Sequence, residues 1–223
     1  MRGFFSSLVP GISPEVIISR LIIMVFLLPV HEAAHAWTAC RLGDSTAKNM
    51  GRLTLNPIKH LDPLGSILLL LMGFGWAKPV PVDPRNFKKP KTGMGLTALA
   101  GPLSNLIFAL VLTALVRLML IFSGSLASLP DIVIYYILNI LIGMAYVSVS
   151  LAVFNLIPVP PLDGSKIFAL ILPDRLYYKM LIYERYISIA VFLLMFTGVL
   201  GKPIAFLTER IFNLMLFPYK FFS

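Results

Sequence analysis

Charge and sulfur are both scarce in this chain of 223 residues. Charged side chains make up 13% of it against 58% hydrophobic, and the mean hydropathy is +0.87. An ordinary soluble domain carries about twice that share of charge, so the composition excludes one and points to an all-α polytopic membrane protein. Acids are scarcer than bases, ten against nineteen, which leaves a net charge of +9. Such an excess could serve nucleic acid. Here, however, the bases cluster in short loops between apolar runs and no nucleic-acid motif accompanies them, so no nucleic-acid partner is expected. The single cysteine, Cys40, excludes an intrachain disulfide and reads as a packing residue at a helix end. Internal repeats, coiled-coil heptads and low-complexity tails are absent as well.

Histidine is rare too, yet two of the three sit in His31-Glu32-Ala33-Ala34-His35. Residues four apart stack on one helix face, so both imidazoles can grip one metal ion. Glu32 lies one step round the helix, placed to act as general base on water at that metal. The ten residues before it, Leu21–Val30, have no polar side chain. An ionisable residue near the middle of a membrane helix costs about 2.5–3.5 kcal/mol on insertion scales, and a bound metal gives three of them a reason to be there. Ala34-His35-Ala36 mimics a signal-peptide cleavage site, but a cut there would sever the histidine motif, so the segment is expected to be retained.

Ser13-Pro14-Glu15 predicts a helix start, and Gly43 its end after Leu42. Leu64–Ala77 is uncharged but only fourteen residues long, short for a span and suited to a re-entrant piece. Further apolar runs cover Met94–Phe122, Ile132–Leu162 with its helix stopping near Pro158, Ile187–Gly201 and Ile204–Phe217. The total is about five to six transmembrane or re-entrant segments. Between them, Arg41–Lys59, Lys78–Lys91 and Lys166–Arg185 carry four, five and four basic residues, and Ser123–Asp131 carries none. The positive-inside rule makes the three basic loops cytoplasmic, the N-terminus external, and both flanks of Leu64–Ala77 cytoplasmic. Short strands are suggested at Ala47–Asn56 and Pro79–Val82, a small membrane-associated β-hairpin of edge type.

Catalytic zinc takes three protein ligands and keeps a position open for water. Asp163 is the candidate third ligand, just past the long uncharged span and near its cytoplasmic end. His35 and His31 lie about 9 and 15 Å along the helix from Arg41 at 1.5 Å per residue, so the depths agree if the prolines turn the chain back inward. A surface turn at Asp163-Gly164 is the competing reading.

Six motifs, in this order and spacing, resemble the site-2 protease family of intramembrane zinc metalloproteases. They are His31-Glu32-x-x-His35; Asn56-Pro57-x-x-His60-x-Asp62-Pro63-x-Gly65; Gly75-Trp76-Ala77-Lys78-Pro79-Val80; Gly101-Pro102-Leu103-Ser104-Asn105; Asn155-x-x-Pro158 with Leu162-Asp163-Gly164; and Tyr183-Glu184-Arg185-Tyr186. The match is close to the short prokaryotic members without a PDZ domain and runs from about Val16 to Tyr186. Pro160-Pro161-Leu162 before Asp163 departs from the simpler N-P-D-G form of some members. The resemblance implies one domain over 1–223, with a three-helix catalytic core about 14–172 and C-terminal helices about 180–220. It implies one Zn2+ per chain on His31, His35 and Asp163, with Glu32 as general base. It further implies a transmembrane protein substrate cut within or near its membrane-spanning segments in the lipid bilayer, by a multi-pass prokaryotic cell-membrane enzyme with room for a regulatory membrane partner; the loop charges put the active site towards the cytoplasm. His60 is placed near the site mouth by the same pattern, with no ligand role assigned.

Other residues read more plainly. Gly101 and Asn105 share a helix face with Thr97 and Ala109, a small-residue face suited to close helix packing. Asn105 and Asn155 could present amides to substrate or oxyanion, or hydrogen-bond between helices. Trp37 reads as an interfacial or packing aromatic. A metal transporter would need ligands along a path, often in related halves, and three histidines without a repeat argue against it. A proteolytically silent membrane chaperone of the same fold would have no need of Glu32.

Overall fold

The computed structural model describes residues 14–72, 75–122, 130–197 and 199–216. Its first rod is one continuous run in three parts: α1 (Pro14–Ile22), a π-helical turn (Ile23–Leu27) and α2 (Leu28–Arg41). Pro29 explains the middle part. Its ring has no N–H for the Val25 carbonyl and would collide with it, so the helix widens just before the histidine motif. The chain then leaves the rod through Gly43 at φ +113°, with the Asp44 N–H closing back on the Ala39 carbonyl. The Ser13 cap lies outside the described residues.

The β-hairpin expected next needs correcting. A one-turn helix, α3 (Thr46–Asn49), occupies the start of the supposed strand, Gly51 turns the chain at φ +66°, and a 3-10 turn follows at Pro57–Lys59. Among the described residues only one isolated antiparallel bridge remains, Leu61 to Ala77, backed by the Lys78 N–H on the His60 carbonyl at 2.7 Å. Pro57, Pro79 and Pro81 lack the donors that a longer ladder requires.

α4 (Pro63–Met72) is a helix of about 15 Å, half the hydrocarbon thickness of a bilayer. The chain returns alongside it. A Cβ on Gly75 would meet the Gly65 carbonyl oxygen at 2.0 Å, and one on Gly65 would meet the Trp76 carbonyl oxygen at 2.2 Å. Only glycine permits backbones that close. Leu61 and Ala77 then meet, so the segment leaves and returns at one end of the molecule. Arg20 of α1 donates to the Leu70 carbonyl in the last turn of α4, where the helix dipole favours a cation.

α5 (Pro90–Ile121) and α6 (Asp131–Asn155) complete the core. Three segments are long and apolar enough to cross a membrane: Ile17–Arg41, Pro90–Ile121 and Asp131–Asn155. α5 is central and packs on both others. Its buried face sets Gly101 against the His31 and His35 rings of α2, and Ala109 and Leu112 against Ala145, Val149 and Val153 of α6. Lipid gives helices no hydrophobic reason to associate, so close approach over small side chains and hydrogen bonds does that work. Ser148 Oγ accordingly donates to the Asn105 carbonyl at 2.8 Å. The outer faces carry Ile107, Leu110, Val111 and Leu118, about half exposed, as an apolar solvent requires.

α6 ends at Asn155, three residues before Pro158, because a proline disfavours helical backbone at and before the residue it follows. α7 (Asp163–Ala169), α8 (Asp174–Phe196) and α9 (Gly201–Leu216) follow. The basic stretch Lys166–Arg185 is therefore mostly helix and not a loop; α8 starts at Asp174, thirteen residues before the apolar run at Ile187, with the Pro173 carbonyl accepting from the Leu176 and Tyr177 N–H groups. Phe212 of α9 closes the α5–α6 core. Asn86 donates to Asp44 at 2.8 Å and Lys91 reaches the Leu172 carbonyl, so all three basic stretches share one end of the bundle. The uncharged connection at 123–129 lies outside the described residues.

Gly65→Ala is expected to lower the melting temperature in detergent. Overpacking costs about 1–3 kcal/mol, and a chain of this size loses roughly 2–4 °C per kcal/mol. Gly143→Ala on α6, where a Cβ meets nothing within 4 Å, should leave it unchanged or slightly raised. Thermal unfolding of the two variants side by side checks this.

Candidate metal centre and its cavity

The i, i+4 spacing on α2 lays the imidazoles of His31 and His35 edge to face, with ring centroids 4.6 Å apart. Asp163 is the first residue of α7, 128 residues further along the chain than His35. Beyond Asn155 the backbone folds back on itself so tightly that a Cβ on Gly164 would meet the Ile157 and Leu156 carbonyl oxygens at 2.3 Å. That fold returns Asp163 to the histidines, as the proline-rich segment was expected to do. His31 Nε2 lies 3.1 Å from Asp163 Oδ2, His35 Nε2 lies 3.2 Å from it, and the two Nε2 atoms are 3.0 Å apart.

Such a triangle fits zinc. Ligand bonds of about 2.0–2.1 Å at tetrahedral angles give ligand–ligand edges of about 3.3 Å, close to all three separations. The far nitrogens of both rings are also held. His35 Nδ1 donates to the Thr97 carbonyl at 2.7 Å, which leaves the Nε2 lone pair free for a metal. His31 Nδ1 lies 3.3 Å from the amide of Asn105, whose Oδ1 is buried without a partner. Turning that amide over places the oxygen on a His31 Nδ1–H and frees Nε2 in the same way. Asn105, for which the sequence left open a substrate or oxyanion role and an inter-helix hydrogen bond, makes the second to His31 and also lines the cavity.

Gly101 is what lets the rings lie against α5. A Cβ there would meet His35 Nε2 at 2.4 Å and His31 Cε1 at 2.6 Å. Among the described residues, His31, His35 and Asp163 form the one cluster able to hold a metal ion.

The cluster opens into a cavity of about 660 Å3. Glu32 lines it beside the histidines, and Asn155 lines it with Nδ2 bonded back to the Leu151 carbonyl at 2.9 Å, a bond within its own helix. The other walls come from α8, through Ile189 and Val191, and from an extended strap that includes Trp76, Pro79 and Val80. Lys166 and Ser188 also face the cavity and were missed from sequence; Lys166 stands one helical turn after Asp163, which was the available signal. His60 is not in the lining. It is fully buried behind the strap, with Nε2 on the Thr54 carbonyl at 2.7 Å. Trp37 is half exposed with Arg41 over its ring, and Cys40 takes no part in the cluster.

Gly101→Ala should displace both rings and lower bound zinc to well below one per chain. Metal analysis of the purified variant against wild type is the measurement, with Gly143→Ala as the control.

The family described as Peptidase family M50 matches residues 118–200, a stretch that contains Asp163 and begins after the histidines. "Putative zinc metalloprotease YwhC" of Bacillus subtilis is 44% identical over 182 residues, covering 82% of this chain and 81% of that protein. "Putative zinc metalloprotease Rip2" of Mycolicibacterium smegmatis is 30% identical over 147 residues, covering 61% of this chain and 51% of that protein. No solved structure matches. On that similarity, with a zinc-competent triad on apolar helices, the chain belongs to the site-2 protease family, peptidase family M50, and is a zinc metalloprotease.

Proposed function

We propose that this metalloprotease cuts peptide bonds within or near the transmembrane segments of other proteins. The observation that carries the reading is the position of the cluster: His31, His35 and Asp163 converge at the wall of one cavity, between helices whose outer faces suit lipid. Zinc held there would acidify water and polarise the scissile carbonyl. Glu32, one position from His31 and facing the same cavity, takes the proton of the attacking water at its carboxylate and passes it to the leaving amine. The Thr97 carbonyl and Asn105 hold the imidazoles in orientation, and Asn155 offers its amide oxygen to the cavity. Substrate must enter unwound, because helical carbonyls are already hydrogen-bonded and covered. A transporter would need further ligand sites along a path, and none is found among the described residues.

The supporting evidence for orientation is that the three basic stretches share the end of the bundle where the cavity lies. By the positive-inside rule that end is cytoplasmic, in a multi-pass cell-membrane protein.

Glu32→Gln is expected to lower cleavage by about 10²–10⁴-fold while zinc stays at one per chain, since the amide keeps the shape but cannot take the proton. Asp163→Asn should instead lose zinc, because a neutral ligand replaces a charged one. Membranes from the Glu32→Gln strain should accumulate an intact single-span protein that wild type processes, measured by quantitative membrane proteomics. No such protein, with zinc content unchanged, would sink the proposal.

Orientation has its own test. With Cys40 replaced, Ser125→Cys should react with an impermeant thiol reagent on intact cells, and Thr92→Cys should not. The reverse pattern would put the cavity at the external face.

A further inference from the structure

Pro79–Val82 forms part of the cavity wall, yet nothing within the chain pairs its backbone among the described residues. Pro79 and Pro81 have no N–H, so this strap cannot be zipped to a neighbour as a strand would be. It is held at its two ends instead, by buried groups of opposite charge. At the near end Arg52, 6% exposed, donates through Nη2 to the Lys78 carbonyl. At the far end Asp44, 0% exposed, accepts from the Asp83 N–H at 2.8 Å and from Asn86 Nδ2 at 2.8 Å.

Neither charge has the partner that burial ordinarily demands. Among the described residues no carboxylate lies within salt-bridge distance of Arg52, and its Nε is buried and unpaired. Asp44 is surrounded by donors only, adding the Thr46 N–H at 3.1 Å and the Thr46 hydroxyl. Burial opposes its ionisation, but those hydrogen bonds outweigh it and hold the carboxyl below the usual carboxylate range. A buried charge that bonds backbone groups, with no ion pair among the described residues, is placed to position that backbone.

Both anchors ride on the segment that continues α2. Asp44 stands nine residues after His35, closed onto the helix by its own N–H on the Ala39 carbonyl at 2.9 Å, and the Arg52 N–H bonds the Ala47 carbonyl at 2.9 Å. The helix that carries two metal ligands therefore also sets where the Pro79–Val82 wall of the same cavity stands. We propose that Arg52 and Asp44 are positioning residues for substrate: they fix the Pro79–Val82 wall relative to the metal ligands, and so set affinity for an extended peptide without touching the reacting atoms. This rests on the proteolytic reading above.

Two zinc-binding probes separate the metal from the wall. Acetohydroxamate reports the metal alone, and a hydroxamate on an apolar tetrapeptide also spans the cavity. With purified full-length protein in detergent, wild type should bind the peptide probe more tightly than acetohydroxamate. Arg52→Gln should weaken the peptide probe roughly tenfold or more, the scale of one charged hydrogen bond, with acetohydroxamate affinity and zinc content unchanged. Arg52→Lys, which keeps a cation for the Lys78 carbonyl, should recover part of the loss. If Arg52→Gln fails to fold, Asp44→Asn carries the same comparison, since its amide NH2 would face a donor where an oxygen now accepts. Equal loss of both probes, or no loss of either, would overturn the inference. Wild type that binds acetohydroxamate but gains nothing from the tetrapeptide would overturn it alone. Wild type that binds neither probe would remove the proteolytic reading and this inference with it.

Discussion

Three electron pairs aimed at one point repel one another unless a cation sits among them. His31, His35 and Asp163 bring such pairs within 3.0–3.2 Å of each other on a wall of apolar helices, and much of the remaining structure exists to hold that arrangement together. The rings cannot turn away, because the Thr97 carbonyl and the Asn105 amide hold their outer nitrogens. They cannot retreat either, because α5 lies against them at Gly101, where even a Cβ would collide with both rings. The carboxylate is returned to them by a backbone fold that Gly164 alone allows. A cluster this constrained is shaped to receive a positive charge.

The same constraint explains how the helices pack. In lipid, association rests on close contact and internal hydrogen bonds, and α5 supplies both along the face that carries the histidine contacts. Asn105 does double duty there, with its side chain on His31 and its carbonyl taking the Ser148 hydroxyl of α6. The three helices that make the core are therefore joined at the depth of the metal site. The larger apolar side chains point outward, where the solvent is hydrocarbon, and their exposure is no defect.

The chain between α2 and α5 obeys different rules. It is rich in proline and glycine, has no ladder of hydrogen bonds among the described residues, and is secured through polar side chains set against backbone groups. Arg20 holds the tip of α4, Arg52 and Asp44 hold the ends of the strap, and His60 props the turn behind it. A wall built this way is stiff without being a sheet, which leaves its inner edge free to face whatever enters the cavity.

Local regularities were legible in the sequence. Hydropathy marked the three apolar helices, the four-residue spacing put both imidazoles on one face, and the short uncharged run Leu64–Ala77 fits a chain whose ends meet at Leu61 and Ala77. Those follow from helix geometry and composition within a few neighbouring residues. The β-hairpin was misread because β-branched residues among prolines look like strands while lacking the donors of one, and α8 was begun too late because its first turns are charged. Tertiary structure alone decided the rest. Asn105 meets His31 across 74 residues, Thr97 meets His35 across 62 through a carbonyl that every residue possesses, and Asp44 meets Asp83 across 39 through a backbone N–H. A backbone group carries no mark of its role in the sequence, and a long-range partner is chosen by how helices pack, so the residues that hold the site in place became visible only once the chain had folded.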